Sequence, residues 1–481
     1  MKKKVISMLI AAAMIGSFAG CGAKKSATSD DGIPTLTWLM PCETQEDLQS
    51  VEDAMNEIFV EKVGARVDFE FIDEGAYSEK MRMKMASGEA FDMCFTGYVN
   101  NYTSAARSGG LLDITDLIDE VDGLREAIPD YNWEAATING KIYCVPNVQI
   151  ACMSTAVVEY TDISKDYDFD FSKVKHVEDI EPYLEMIKKA DPSYYPFKPA
   201  YGVSPWIDGK YVAVGTKMIG LPIESTSTDD LCYIWETEEW QDGVRTMSEW
   251  YKKGYIRPDV LSVNDDTNDR KGGGCAIDQE LWKPGVEVGW KTSFGRDSKF
   301  WVVVPPMITR GMATSTNVSL GLSCKDPKKA LEIVKLMHTD AELLNLLTFG
   351  IEGKHYNLVN DRVEVIEGAG YDQDGAAWKF GNTYLAHLVP GQEDSVWEET
   401  KEVNETAIRP STLAFSFDST PVKTEIAALN TLYTEYEVYN RGAADPDTYL
   451  DEFVKKMKEA GIEKVYNEVK KQLDEYFASQ K

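Results

Sequence analysis

The strongest constraint on the fold lies between residues 35 and 97, where hydrophobic spacing switches repeatedly between period two and period 3.6. "PTLTWLM" has β character. In "EDLQSVEDAMNEIFVEKVG", Leu48, Val51, Met55, Ile58 and Phe59 recur at helical spacing, and Gly64 supplies a C-terminal stop. "ARVDFEFI" then alternates, with Val67, Phe69 and Phe71 on one side and Asp68 and Glu70 on the other. A second helix, "YSEKMRMKMASG", aligns Tyr77, Met81 and Met85, and a short apolar run, "FDMCFTG", follows it. Strand, helix, strand, helix, strand predicts a mostly parallel sheet covered by helices, an α/β architecture.

The alternation continues. "KIYCVPNVQIACMSTAVV" reads as extended chain broken at Pro146, and "VEDIEPYLEMIKKA" and "TEEWQDGVRTMSEWYKKG" as helices. "GGGCAIDQELW" and "KFWVVVPPM" are strand-like, the second ending at Pro305-Pro306. "DPKKALEIVKLMHTDAELLNLLTFG" is one or two helices, opened by Asp326 as N-cap with Pro327 in the first turn. From about residue 421 strand signals vanish and three helical stretches follow. At 481 residues the chain is too long for one core and suits two or more lobes.

The N-terminus addresses location. Met1-Lys2-Lys3-Lys4 is a basic start, and "VISMLIAAAMIG" is apolar but shorter than the roughly 20 residues a membrane span needs. This is the pattern of a secretory signal over residues 1–20. Its end, Phe18-Ala19-Gly20-Cys21, resembles the lipobox of bacterial lipoproteins, with Phe18 in place of the usual aliphatic residue. That resemblance implies lipidation at Cys21 and a soluble body outside the cytoplasmic membrane, with residues 21–33 as a polar, flexible tether. A net charge of −30 excludes nucleic acid binding through phosphates and adhesion to anionic lipid without an anchor. The seven remaining cysteines are widely spaced and mostly within apolar runs, which reads as buried free thiols. The four histidines lack metal spacing, and neither a metal nor a cofactor is expected.

Five stretches in order carry a resemblance. The first lobe pattern ends in "KMRMKMASGEAFDMCFTGYVNNYTSAARSGGLLDITDLID", and "WEAATINGKIYCVPN", "GGGCAIDQELW", "VVVPPMITRG" and "SLGLSCKDPKKALEIVKLMHTDAELLNLLTFGIEGKHY" follow. Together they resemble the extracellular solute-binding proteins of family 1, the maltose-binding-protein-like receptors of ABC importers. "GIEGKHY" and the helical end resemble a subgroup with a C-terminal DUF3502 domain. The resemblance implies a two-lobe periplasmic-binding-protein-like fold (type II) with hinge crossovers and a helical C-terminal extension. It places residues 34–147 plus 308–358 in lobe 1, 148–307 plus 359–420 in lobe 2, and 421–481 in the C-terminal region. It further implies a monomer that captures a solute, most readily an oligosaccharide, between its lobes and delivers it to an ABC permease.

Candidate ligand contacts follow from strand ends and aromatic supply. Glu43 and Tyr98 stand just past apolar strands, at the carboxyl edge where open α/β sheets bind ligands. Aromatic rings cover the flat C–H faces of sugars while polar groups take the hydroxyls. Trp282 matches the position of the family's stacking tryptophan, and Asp278 lies four residues before it. Trp206 lies in the turn-rich "GVSPWIDG", where an exposed indole needs a reason. Trp290 and Trp378 are lesser candidates, whereas Trp38, Trp240 and Trp250 fit core periodicity. Asn317 and Asn147 adjoin the expected hinges, and Tyr356 and Glu352 belong to the subgroup motif.

Catalytic signatures are lacking: the sequence contains no G-x-S-x-G elbow and no H-E-x-x-H, and Trp290 breaks the near phosphate loop "GVEVGWKTS". The expectation is therefore a binding protein rather than an enzyme. A lipid-anchored glycoside hydrolase, which would share the signal, acidity and tryptophans, is one alternative, and a receptor for peptides is the other.

Overall fold

The computed structural model describes residues 31–263 and 267–480. The alternation at the start of the chain becomes strands β1 (Thr35–Pro41), β2 (Arg66–Ile72) and β3 (Met93–Gly97), with helices α1 (Leu48–Lys62) and α2 (Glu74–Ser87) between them. β1 pairs in parallel with both β2 and β3, so the winding reverses on either side of β1. α1 buries Val51, Met55 and Phe59, and α2 buries Tyr77 and Met81. The Tyr77 hydroxyl donates to the carbonyls of Leu39 and Phe95, tying β1 to β3 under the helix. Every residue of β3 is buried, which accounts for its unbroken apolar run. Strands Thr316–Leu320 and Val145–Pro146 complete a five-stranded sheet beyond β3, the former antiparallel to it.

The second lobe is built on an antiparallel sheet. Its central strand, Cys152–Tyr160, is flanked by Ile277–Leu281 and Ser298–Ile308. The last of these runs through Pro305-Pro306 rather than ending there. Proline offers no N–H to the ladder, so the register slips between Val302 and Met307 and resumes where Met307 faces Met153. Helices Glu181–Ala190 and Glu238–Lys252 cover this lobe, and Trp240 and Trp250 lie in its core as their spacing predicts, as Trp38 does in the first.

Two boundaries differ from the sequence reading. Tyr371, Ala377, Phe380 and Ala386 pack in the first lobe's core, so the start of 359–420 belongs there and not to lobe 2. The terminal helices Lys423–Glu435, Pro446–Glu459 and Ile462–Ser479 are not an appended region. Their Leu429, Phe453, Met457, Val465, Val469 and Leu473 share one core with Trp235, Trp240 and Met247 of the second lobe. Periodicity shows that a helix has an apolar face but not which partner covers it.

Three crossovers join the lobes: 147–151, 309–315, and the segment holding helix Val396–Thr406. Asn404 on that helix is fully buried and binds two of them together. Its Oδ1 accepts from the Ala151 N–H at 2.9 Å and its Nδ2 donates to the Gln149 carbonyl at 2.8 Å. Ile308 and Ile408 complete the bundle through backbone bonds, over a small core of Ile150, Cys152, Ile308, Ala313 and Leu413. The seven cysteines beyond Cys21 are unpaired, five of them buried. No helix among the described residues is long and apolar enough to cross a membrane.

Candidate functional site

The reversal of winding beside β1 opens a crevice at the carboxyl ends of β1 and β3, where nothing in the sheet lies between the departing loops. Cys42-Glu43 leave β1 there, and Tyr98 leaves β3. Gly97 makes the second exit possible: its φ is +148°, and a Cβ on it would sit 2.0 Å from the Ser315 carbonyl oxygen. The tight approach lets the Tyr98 N–H donate to that oxygen at 2.8 Å.

Tyr98 is 47% exposed although its ring leans on Phe95 and on Trp378, at centroid separations of 5.7 and 5.8 Å. Its hydroxyl donates to Glu74 Oε2 at 2.7 Å, and Lys379 Nζ donates to the same oxygen at 3.1 Å. Burial alone would raise the Glu74 carboxyl; the bonds from Tyr98 and Lys379 outweigh it and hold the group below its ordinary value. Burial, followed by the Glu74 bond, raises the Tyr98 hydroxyl, which stays protonated. Burial likewise pushes the Cys42 thiol up to about 12. The result is a fixed aromatic pair, Tyr98 and Trp378, beside an ionised Glu74–Lys379 pair.

Below this wall the crossovers present amides and hydroxyls. Gln149 Nε2 donates to Thr316 Oγ1 at 2.8 Å and Ser315 Oγ at 3.2 Å, and the Trp378 carbonyl accepts from Thr316 Oγ1 and Asn147 Nδ2. Asn147 Oδ1 is buried and meets no donor among the described residues. The facing wall comes from the second lobe. Leu281 faces Thr155, and the Trp282 N–H donates to the Ser154 carbonyl at 2.8 Å, so Trp282 stands at the crossover end of that sheet, half-buried. Tyr201 and Glu280, joined at 3.0 Å, lie close by along the same strand.

Of the residues expected from sequence, Glu43, Tyr98 and Trp282 stand at the edges that face across the crossovers, with Glu43 exposed. Four others do not. Trp206 is 9% exposed and packs edge-on against Trp250 over Gly243. Asp278 is fully buried and is held by Arg270 at 2.8 Å and Lys198 at 3.5 Å. Asn317 is fully buried inside its strand, donating to the Thr96 and Thr314 carbonyls. Tyr356 lies in a small separate core with Phe349 and Val363. The lesser candidate Trp290 is buried under Arg270, against Phe294 and Phe300. Glu74, Lys379 and Gln149 escape a sequence reading, because no motif marks them; strand-end position alone points to Glu74. Cys21 lies outside the described residues. No cluster with metal-ligand character occurs among the described residues.

Comparison with known proteins follows the same lines. A family profile described as bacterial extracellular solute-binding protein matches residues 54–274, and the domain of unknown function DUF3502 matches residues 411–478. A carbohydrate ABC transporter substrate-binding protein of Streptococcus pneumoniae is 28% identical, over 100% of this chain and 99% of that one. The crystal structure of the N-glycan transport solute binding protein of Streptococcus pneumoniae superposes with a TM-score of 0.80 at 27% identity, over 93% of this chain and 100% of that one. The same protein in complex with Man1GlcNAc gives 0.69 at 25% identity, over 92% and 100% of the two chains. Its complex with Man5GlcNAc gives 0.66 at 26% identity, over 93% and 99%.

Proposed function

Because the chain belongs to the bacterial extracellular solute-binding proteins, we propose that it captures an oligosaccharide between its lobes and hands it, unchanged, to an ABC permease. The observation that carries this reading is the pairing of exposed Tyr98 with Trp378 beside the Glu74–Lys379 pair, across the crossovers from Trp282. Rings take the C–H faces of pyranoses, and charged groups exchange hydrogen bonds with their hydroxyls. The three crossovers hinge the lobes, and a ligand touching both walls favours the closed form. The spread of TM-scores supports such a motion: the relative's complexes with glycans fit this chain less well than its structure without a named glycan. In this reading Cys21 is the lipid-bearing N-terminus on the outer face of the cytoplasmic membrane, and the receptor acts as a monomer.

The test is a thermal-shift screen against neutral and acidic oligosaccharides, simple sugars and peptides. A ligand at 100 times its dissociation constant adds about 2.7 kcal/mol to stability. A shift with one oligosaccharide class, recovered intact by chromatography, is expected. A cleaved sugar would instead identify a hydrolase, and shifts with peptides alone would replace the sugar as cargo.

A further inference from the structure

The crossover helix Arg310–Ala313 carries a guanidinium that the protein leaves half used. Arg310 Nη1 donates to the Thr137 carbonyl at 2.9 Å. Nε and Nη2, which together form one straight edge of the fork, are closed off from solvent and meet no acceptor among the described residues. Elsewhere in the chain that edge is filled by a carboxylate. Arg296 donates from Nε and Nη2 to the two oxygens of Asp162 at 3.0 and 2.8 Å, and Arg257 does the same to Asp259 at 2.5 and 2.8 Å.

The surroundings of Arg310 sharpen the contrast. The ionisable groups that act on it most strongly are Tyr102, Cys144, Arg107 and Tyr476, none of them a carboxylate. Arg107 lies on the same side, where its Nη1 and Nη2 donate to the Phe417 and Ser416 carbonyls at 2.6 and 2.8 Å. Arg310 lines a cavity of about 180 Å³ together with Thr309, Thr412, Phe415 and Phe417. A buried charge without a counterion is costly, and a guanidinium edge matches a two-oxygen anion in shape. In a chain of net charge −30, a cationic pocket with no acid of its own is out of keeping with the rest of the molecule.

We propose that this cavity receives a carboxylate on the Nε/Nη2 edge of Arg310. The carboxylate comes either from an acidic sugar of the captured oligosaccharide, which rests on the receptor reading above, or from a free anion that neutralises the hinge. Acetate, 3′-sialyllactose and its neutral counterpart lactose separate the sources. Thermal unfolding of the whole protein is followed with each probe at constant ionic strength, for the wild type and for Arg310→Lys and Arg310→Met.

Acetate or 3′-sialyllactose is expected to raise the wild-type midpoint by a few degrees, with at least a tenfold loss of apparent affinity in Arg310→Met. Arg310→Lys loses most of the effect as well, because an ammonium keeps the charge but not the fork, and it carries the test should Arg310→Met not fold. A response to acetate assigns a free anion; a response to 3′-sialyllactose but to neither acetate nor lactose assigns the acidic sugar. Equal responses of wild type and both variants, or no response to either acid, would overturn the proposal. Binding of neutral Man5GlcNAc, measured in parallel, reports on the receptor reading independently.

Discussion

At the scale of single residues, the account rests on rings held in place by polar partners. Trp378→Ala removes the ring that Tyr98 leans on and is expected to weaken oligosaccharide binding by about 1–3 kcal/mol, with an unfolding midpoint close to wild type. Trp282→Ala is expected to do the same from the opposite wall; calorimetric titration reads both, and unchanged affinity would remove that ring from the site. A second prediction concerns acid stability. Burial raises the Asp208 carboxyl from 3.8 to about 6, so the folded state favours its protonated form. That contribution is fully present below pH 3.8 and is lost as the pH rises through about 6. Asp208→Asn is therefore expected to flatten the fall in unfolding midpoint between pH 4 and 7, measured by calorimetry. Sequence alone found Tyr98 because a residue just past a buried parallel strand has few places to go. It misplaced Trp206 and Asp278 because their surroundings are set by distant partners, Gly243 and Trp250 for one and Arg270 for the other.

At the scale of elements, the crossovers decide how the walls meet. Asn404 satisfies a backbone donor and a backbone acceptor of the first crossover, so Asn404→Ala leaves Ala151 N–H and Gln149 C=O without it. A loss of about 1–3 kcal/mol in chemical denaturation is expected, and no loss would show that the helix Val396–Thr406 is not the tie described. Gly97→Ala is expected to be worse, since its Cβ meets backbone at 2.0 Å and no side-chain motion relieves that. The strands and helices of the first 97 residues were legible because their periods are clean. The strand through Pro305-Pro306 was not, because a proline pair normally ends a ladder and here only bulges it.

At the scale of the whole molecule, the terminal helices close the second lobe rather than decorate it. Truncation after residue 420 would strip Phe453, Val465, Val469 and Leu473 from around Trp235 and Trp240. Such a chain is expected to lose the second lobe's cooperative unfolding and to be cut there by protease, while the first lobe's sheet persists. The central claim is that the two walls close on an oligosaccharide. Small-angle X-ray scattering of the protein, with and without the oligosaccharide that gives the largest thermal shift, tests it most directly. The account predicts a smaller radius of gyration in the bound state, abolished when Trp378 and Trp282 are both replaced by alanine. Tight binding with an unchanged radius, or closure that survives the loss of both rings, would contradict it.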